Sequence, residues 1–221
     1  TQQYSLNVRG GTGNIAYLIA GAYDKSISSL GSPSEKINVH LENIYKPMKN
    51  LQLSFGIYYT NSKAKNGRAS YESITVGNRV VPYLRFADSE GNPLPVTRGL
   101  RDGYIDTAGA GKLLDWRYYP LDNHKHVSNI SRVNDLLANI GIQYRLHKWV
   151  NVDFKYQYQL QQGDDETNNR LESYSTRYTI NLFSQLDRNT GIVKYIVPLG
   201  DIVDKSMRRA TAQSARGQIN F

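Results

Sequence analysis

The stretch Leu136–Gln162, LLANIGIQYRLHKWVNVDFKYQYQLQQ, decides the fold. Apolar side chains occupy every second position in Leu136–Leu146 and again in Val150–Leu160. Mostly polar side chains fill the positions between them, and only the short turn His147–Trp149 separates the two runs. Strict alternation indicates β-strands, and so short a connection can join only antiparallel neighbours. The stretch therefore predicts a long β-hairpin with one apolar face.

The length of these two runs favours a membrane over a protein core. Each run has about eleven residues, whereas strands of soluble proteins usually have about five or six. On the membrane interpretation the apolar face contacts lipid, and the face that carries Asp153 and Lys155 lines a wet lumen. An unusually long hairpin of a soluble all-β domain remains the alternative.

Composition excludes several classes of protein. The 221 residues include no cysteine, so disulfides and thiolate metal sites are excluded. No run of about 18 apolar residues occurs, which excludes a transmembrane helix, while the mean hydropathy of -0.55 is compatible with a barrel whose strands are half polar. The net charge is +8, but the 27 Lys and Arg residues are scattered, so we expect no nucleic-acid partner.

Alternation along the rest of the chain predicts seven strands and two long connections. The connections, 62–129 and 163–210, are rich in Gly, Pro, Asp and Asn and far exceed the usual length of a loop. Within the first, a small hairpin is predicted around a turn at Asp88–Asn92. The strands are predicted at approximately 4–9, 14–24, 35–45, 51–61, 131–146, 150–162 and 211–221.

Short and long connections alternate, which sorts them to opposite ends of the strands. This asymmetry is typical of outer-membrane barrels, with short periplasmic turns and long extracellular loops. Single-chain bacterial barrels close with even numbers of strands, so seven strands indicate a section of a larger antiparallel barrel in an all-β fold class. The tight turns are Gly10–Gly13, Lys46–Asn50 and His147–Trp149, and the long links are Lys25–Ser34, 62–129 and 163–210.

Several motifs resemble, in the same order, the barrel of TonB-dependent outer-membrane transporters of the SusC/RagA type. The resemblance extends over nearly the whole chain. The motifs are Tyr4–Asp24, Asn50–Phe55, Glu90–Pro95, Tyr144–Val150 and Arg216–Phe221.

The resemblance implies a multi-pass β-barrel of the Gram-negative cell outer membrane. Members of this family form a 22-stranded barrel with an N-terminal plug, in contact with outer-membrane lipid. They are energised through TonB and capped by a SusD-like surface lipoprotein, and they import oligosaccharides or peptides. The plug and the TonB-contacting segment have no counterpart in this sequence, so the chain is expected to hold about a third of a barrel and not to transport alone.

Two sets of side chains are candidates for binding. Loop aromatics with a neighbouring arginine could stack on substrate or anchor the lipoprotein lid, or could simply pack the loop against itself. They are Tyr83, Phe86, Trp116, Arg117, Tyr118 and Tyr119. Polar residues on the presumed lumen face could line the path or contact the plug. They are Lys36, Glu42, Arg145, Asp153 and Lys155.

No catalytic, metal or cofactor site is expected. His124–His126 lacks a third ligand, Asp164–Glu166 and Asp88–Gly91 lack the spaced oxygens of a calcium loop, and Gly109–Lys112 departs from a phosphate loop.

Two other classes of protein remain open. One is a small self-contained barrel with an eighth strand at Tyr174–Leu182, and the other is a soluble β-sandwich carbohydrate-binding module that uses the same loop aromatics.

Overall fold

One large antiparallel sheet dominates the computed structural model, which describes residues 1–221. Strands account for 57% of the residues and helices for 11%, so the all-β class is confirmed. The long strands are β1 (Gln2–Gly11), β2 (Ile15–Ile27), β3 (Pro33–Met48), β4 (Leu51–Lys65), β7 (Val127–His147), β8 (Val150–Asn169) and β11 (Ile202–Asn220). Two small hairpins lie in the connections and consist of β5 (Thr75–Val76) with β6 (Arg79–Val80), and β9 (Gln185–Leu186) with β10 (Val193–Lys194).

The sheet is open. Its strand order, β1-β2-β3-β4-β7-β8-β11, follows the chain, and β1 does not pair with β11. No second large sheet packs on either face, unlike in a sandwich. The tight turns at 12–14, 49–50 and 148–149 lie at one end, here the turn end, and the links 28–32, 66–126 and 170–201 lie at the other, here the loop end.

Several strands extend further toward the loop end than alternation predicts. β7 begins at Val127 and β8 ends at Asn169, and the prediction that the last strand begins at Thr211 is wrong because β11 begins at Ile202. The added segments mix a few apolar residues, such as Ile202, Val203 and Met207, with polar ones, so they give no alternation signal. Their backbones are nevertheless paired, with Ile202 opposite Asn169 and Lys205 Nζ 3.0 Å from a Glu166 carboxylate oxygen. Cross-strand pairing therefore maintains strands that the sequence pattern does not mark.

The register places the apolar side chains of the strands side by side on one face. We call this surface the apolar band. It consists of the first and every second following residue of Tyr4–Val8, Ile15–Tyr23, Ile37–Tyr45, Leu51–Tyr59, Leu136–Tyr144 and Val152–Leu160, with Ala215, Gly217 and Ile219 on β11. One row, for example, runs Val8, Ile19, Leu41, Ile57, Ala138 and Tyr158 before it reaches Gln213. Many of these side chains are exposed, so the band has no covering partner within the chain.

The opposite face, here the polar face, carries most of the hydrogen-bonding groups of the sheet. A row through its centre contains His40, Tyr58, Leu137 and Gln159. Because side chains alternate between the faces, a shift of one residue would carry the polar row into the apolar band.

The long connections 66–126 and 170–201 fold together into one unit at the loop end, here the loop unit. Its helices are α1 (Asp102–Ile105), α2 (Pro120–Asn123) and α3 (Tyr174–Phe183), with 3-10 turns at Tyr71–Ser73 and Ala108–Gly111. The side chain of Asn181 on α3 clamps one residue of the other connection. Its Oδ1 accepts from the Leu114 N–H at 3.0 Å, and its Nδ2 donates to the Leu114 carbonyl at 2.8 Å. None of the helices is long and apolar enough to cross a membrane.

Helix α3 overturns the prediction of an eighth strand at Tyr174–Leu182. The Ser173 side chain caps the helix by accepting a hydrogen bond from the Thr176 N–H at 3.3 Å. Thr176 and Ile180, four residues apart on one helical face, are both fully buried. Burial of this face outweighs the β-propensity of its Tyr, Thr and Ile residues.

The small hairpin predicted around Asp88–Asn92 is confirmed as an isolated bridge. Ala87 pairs with Pro93, and the Leu94 N–H donates to the Phe86 carbonyl at 2.8 Å. The flanking residues do not extend into strands because the chain then packs into the loop unit.

Substitution of Ile180 tests the packing of α3. Ile180→Ala removes a side chain that is 0% exposed, so we expect a loss of about 2–4 kcal/mol in the local stability of the loop unit. Leu182→Ala is the control, because Leu182 lies on the same helix and is 57% exposed. Hydrogen–deuterium exchange of the α3 amides measures both. Equal exchange in the two variants would contradict the packing.

Candidate functional site

The polar face holds a cluster of hydrogen-bonding side chains near its centre. The register sets His40 opposite Tyr58 and Glu42 opposite Gly56. The Tyr58 hydroxyl donates to the Glu42 carboxylate, and the His40 ring stacks on the Tyr58 ring with centroids 4.4 Å apart. His40 Nε2 lies 3.1 Å from Glu42 Oε1 but without hydrogen-bond geometry. The Tyr58 hydroxyl thus binds one oxygen of the Glu42 carboxylate, whose side chain is 46% exposed.

Glycines keep the floor beside this cluster open. A Cβ on Gly56 would lie 2.5 Å from Asn139 Oδ1, and a Cβ on Gly141 would lie 2.4 Å from Ser54 Oγ. A groove of about 460 Å³ results, here called the polar groove, and its charged and polar lining includes Glu42, Tyr58, Asn139, Lys155 and Arg216. A carboxylate on one side and two cations on the other suit hydrogen bonding to hydroxyl, amide or carboxylate groups.

The five polar residues proposed from sequence share the polar face but not one site. Their cross-strand partners show the common face. Glu42 and Lys155 line the polar groove, and Arg145 and Asp153 line a cavity of about 400 Å³ at the turn end. Lys36 borders a third cavity, of about 310 Å³, toward the loop end. The structure thus brings together two pairs and leaves Lys36 apart.

Sequence reasoning missed three contributors to the central cluster and groove, His40, Tyr58 and Arg216. All three alternate onto the polar face, and an aromatic ring such as Tyr58 on a polar face is itself a signal. The signal identifies a site only after the pairing of β3 with β4 and of β8 with β11 is known.

The loop aromatics divide between packing and exposure. Trp116 and Tyr118 are 7% and 5% exposed and lie in the interior of the loop unit. Phe86 packs against the small core formed by Ile74, Val96 and Tyr118. These rings therefore pack the loop, the alternative that the sequence had left open. Of the aromatics proposed from the sequence, Tyr83, at 97% exposure and with φ of 63°, presents its ring to solvent.

Arg117 and Tyr119 occupy intermediate positions. Arg117 Nη2 lies 2.7 Å from Asp106 Oδ1 and Nη1 lies 3.8 Å from Asp115 Oδ1. The hydrogen bond to Asp106, with help from the charge of Asp115, raises the pKa of Arg117. Tyr119 is partly buried and lines a cavity of about 110 Å³ that also contains Glu172. Both residues lie at the surface of the loop unit and contact other residues of the same unit.

A cationic side chain joins the two connections inside the loop unit. The Arg98 guanidinium lies 4.7 Å from the Tyr118 ring centroid and 5.5 Å from that of Tyr174. The Tyr174 hydroxyl donates to the Arg98 carbonyl at 3.0 Å. Burial raises the pKa of Tyr174, so the phenol stays neutral and remains a donor. The contact fixes α3 against the first connection.

No group of three or more His, Cys, Asp or Glu side chains is placed to hold a metal ion. In the segment Asp164–Glu166, Asp165 pairs with Arg208 and Glu166 pairs with Lys205. These carboxylates take part in cross-strand ion pairs.

Comparison of the sequence with protein-family models and with curated proteins finds no match.

Acid should open the turn at Asp88. Hydrogen bonds from the side chain and backbone N–H of Asn92, and from the Glu90 N–H, hold the pKa of Asp88 below its usual value near 4. A lowered pKa contributes stability above the unfolded value, and this stability is lost as the pH falls through the folded value. We expect amide exchange at 88–92 to rise between about pH 4 and pH 2, after correction for intrinsic rates.

Asp88→Asn is the control for this pH dependence. It keeps an acceptor but cannot titrate, so its corrected exchange should not change with pH over the same range. Equal pH dependence in the variant and the parent would show that another group opens the turn.

Proposed function

We propose that this chain is a section of the barrel of a TonB-dependent outer-membrane transporter of the SusC/RagA type. The observation that carries the proposal is the apolar band, which crosses the open sheet without a covering partner. A monomeric soluble protein rarely exposes an apolar patch of this extent, whereas a bilayer covers one.

The dimensions of the band fit a bilayer. It contains about nine residues on each central strand, the length of a tilted transmembrane strand. Tyrosines lie near both of its margins, as in the aromatic girdles of outer-membrane barrels. They are Tyr4, Tyr23 and Tyr59 toward the loop end, and Tyr45 and Tyr144 toward the turn end.

Charged rows flank the band where the headgroups would lie. Beyond the loop-end margin, one cross-strand row contains Glu35, Lys63, Arg132 and Asp164. At the turn end, Lys49 and Lys148 lie in the tight turns. Because charges are costly in hydrocarbon and favourable at its surface, this arrangement supports a membrane boundary at each margin.

The two edges of the sheet support the idea of a section. β1 and β11 each pair with one neighbour only, so each has a row of unpaired backbone groups. In water, unpaired edges of this length would form hydrogen bonds with other chains and cause aggregation. In a complete barrel, further strands would hydrogen-bond to both edges, and no edge would remain.

In this proposal the polar face lines the lumen and the loop unit is extracellular. The polar groove would bind part of an oligosaccharide or peptide in transit, or a segment of the plug. Among the six loop residues proposed from the sequence, the exposed Tyr83 is the aromatic available to a SusD-like lipoprotein lid. Neither an enzymatic step nor a cofactor enters the proposal.

The native size of the protein tests the proposal. An antibody raised against residues 66–126 should detect, in an outer-membrane fraction, a polypeptide several times larger than 25.0 kDa that shifts in electrophoresis on boiling. A membrane-bound band near 25.0 kDa would indicate a small barrel, and a soluble band would indicate a soluble domain. Either would contradict the proposal.

A charge on the apolar band should destabilise the folded barrel. Ile140→Lys places an ammonium group near the middle of the band, with an expected cost of about 2–4 kcal/mol. Gln157→Lys lies at the same depth on the polar face and should cost little. Urea unfolding of the complete protein in lipid vesicles measures both. Equal stability of the two variants would exclude lipid as the partner of the band.

A further inference from the structure

A cavity of about 630 Å³ lies at the loop end, where β4 and β8 leave the sheet. Four cationic side chains and one carboxylate, Glu166, line it. The cations are Lys65, Arg68, Lys125 and Arg170, and the cavity with these residues is here called the basic cleft.

The positive charge of the basic cleft is largely uncompensated. Glu166 pairs with Lys205 at 3.0 Å, and Lys125 pairs with Asp122. Lys65, Arg68 and Arg170 take part in none of the ion pairs of the structure. Three cations are therefore available to an anion that enters the cleft.

Two buried polar atoms in the cleft also lack partners. His124 Nδ1 and Asn168 Oδ1 are both buried without a hydrogen bond, and both residues line the cavity. Burial of the His124 ring lowers its pKa, and the charges of Arg68 and Lys125 lower it further. Buried polar atoms are normally satisfied, so these two are free to form a hydrogen bond with a ligand or a water molecule in the cleft.

The backbone around the cleft is held rigidly. The Arg68 N–H donates to the Leu30 carbonyl at 2.8 Å, and the Asn66 N–H donates to the Asn129 carbonyl at 3.0 Å. Gly67 permits this approach, because a Cβ there would lie 2.4 Å from the Leu30 carbonyl oxygen. The backbone from which Lys65 and Arg68 project is therefore already ordered, which reduces the entropy lost on binding.

The cleft opens on the same side of the sheet as the apolar band. Lys65 pairs in register with Ile130, and Ile130 with Glu166, in a row that alternation assigns to the band side. Lys65 is four residues beyond Asn61, which shares a row with Tyr4 and Tyr23, so it lies about 10 Å beyond this margin of the band along the membrane normal. A lipid with its chains on the band would have its headgroup at this level.

We propose that the basic cleft binds the phosphorylated sugar headgroup of a membrane glycolipid whose acyl chains lie on the apolar band. This inference rests on the membrane location proposed above. The unpaired cations match a phosphate in charge and hydrogen bonding. The carboxamide oxygen of Asn168 needs a donor, which a sugar hydroxyl supplies and a phosphate diester does not. A phosphoglycolipid supplies both the phosphate and the hydroxyl donor.

The test uses the complete protein purified from outer membranes and stripped of lipid in detergent. Native mass spectrometry measures its titration with lipid A, a bisphosphorylated disaccharide lipid. Lys65→Gln with Arg68→Gln should weaken binding about tenfold or more, because two charge-assisted contacts are lost. The control, Arg79→Gln with Lys194→Gln, removes the same charge from exposed loop-unit positions and should change binding less than about twofold.

Three results would overturn the inference. They are equal binding by the two double variants, equal binding of dephosphorylated lipid A, and displacement of lipid A by millimolar inorganic phosphate, which would indicate a site for free phosphate. The shift of the same sample on boiling separates this inference from the proposed function. A sample that shifts but fails the lipid test contradicts only the lipid site, whereas a sample that shows no shift contradicts the membrane barrel itself.

Discussion

The antiparallel register of β7 and β8 is the constraint on which the rest of the sheet depends. It sets Ile142 opposite Phe154 on one face and Gln143 opposite Asp153 on the other, where the Gln143 amide donates to Asp153 at 2.8 Å. A slip of one residue would exchange the faces of one strand, and would place Asp153 and Lys155 in the apolar band. The pairing of β4, β3 and β2 keeps their apolar side chains on this same face. The register of β7 and β8 therefore determines which face of the whole sheet is apolar.

The sequence predicts the centres of the long strands and their apolar face, because one face is apolar throughout these segments. It predicts the strand ends poorly. From Gln162 to Asn169 both faces are polar, and from Ile202 to Ala210 the few apolar residues do not alternate, so the strands persist only because each backbone finds a partner. Local alternation cannot report a partner that is distant in sequence.

Two further failures have the same origin in tertiary contacts. The alternating Tyr, Thr and Ile residues of Tyr174–Leu182 suit a strand, yet the segment is a helix whose Thr176 and Ile180 are fully buried and whose Asn181 binds Leu114 of the first connection. Likewise, the sequence identifies Trp116 and Tyr118 as conspicuous aromatics but does not distinguish a binding surface from a packed core. In both cases the loop unit is assembled from segments that are far apart in the chain.

Charge is arranged around the apolar band in a way that unifies the proposals. The cations near the loop-end margin lie on the band side, whereas the cations of the polar groove lie on the opposite face beside Glu42. One sheet thus presents an apolar surface with charged margins on one side and a polar, mixed-charge surface on the other. The proposed barrel, with a lipid bilayer outside and an aqueous lumen inside, would account for both surfaces.

Cysteine accessibility along β7 tests the membrane location of the apolar band most directly. The chain contains no cysteine, so single thiols can be introduced at successive positions from Ala138 to Gln143 of the complete protein in a cysteine-free background. In intact outer membranes a water-soluble maleimide should react at Asn139, Gly141 and Gln143 and spare the alternate positions. Equal reaction at both sets, or reaction at the apolar set alone, would contradict a lipid-facing band.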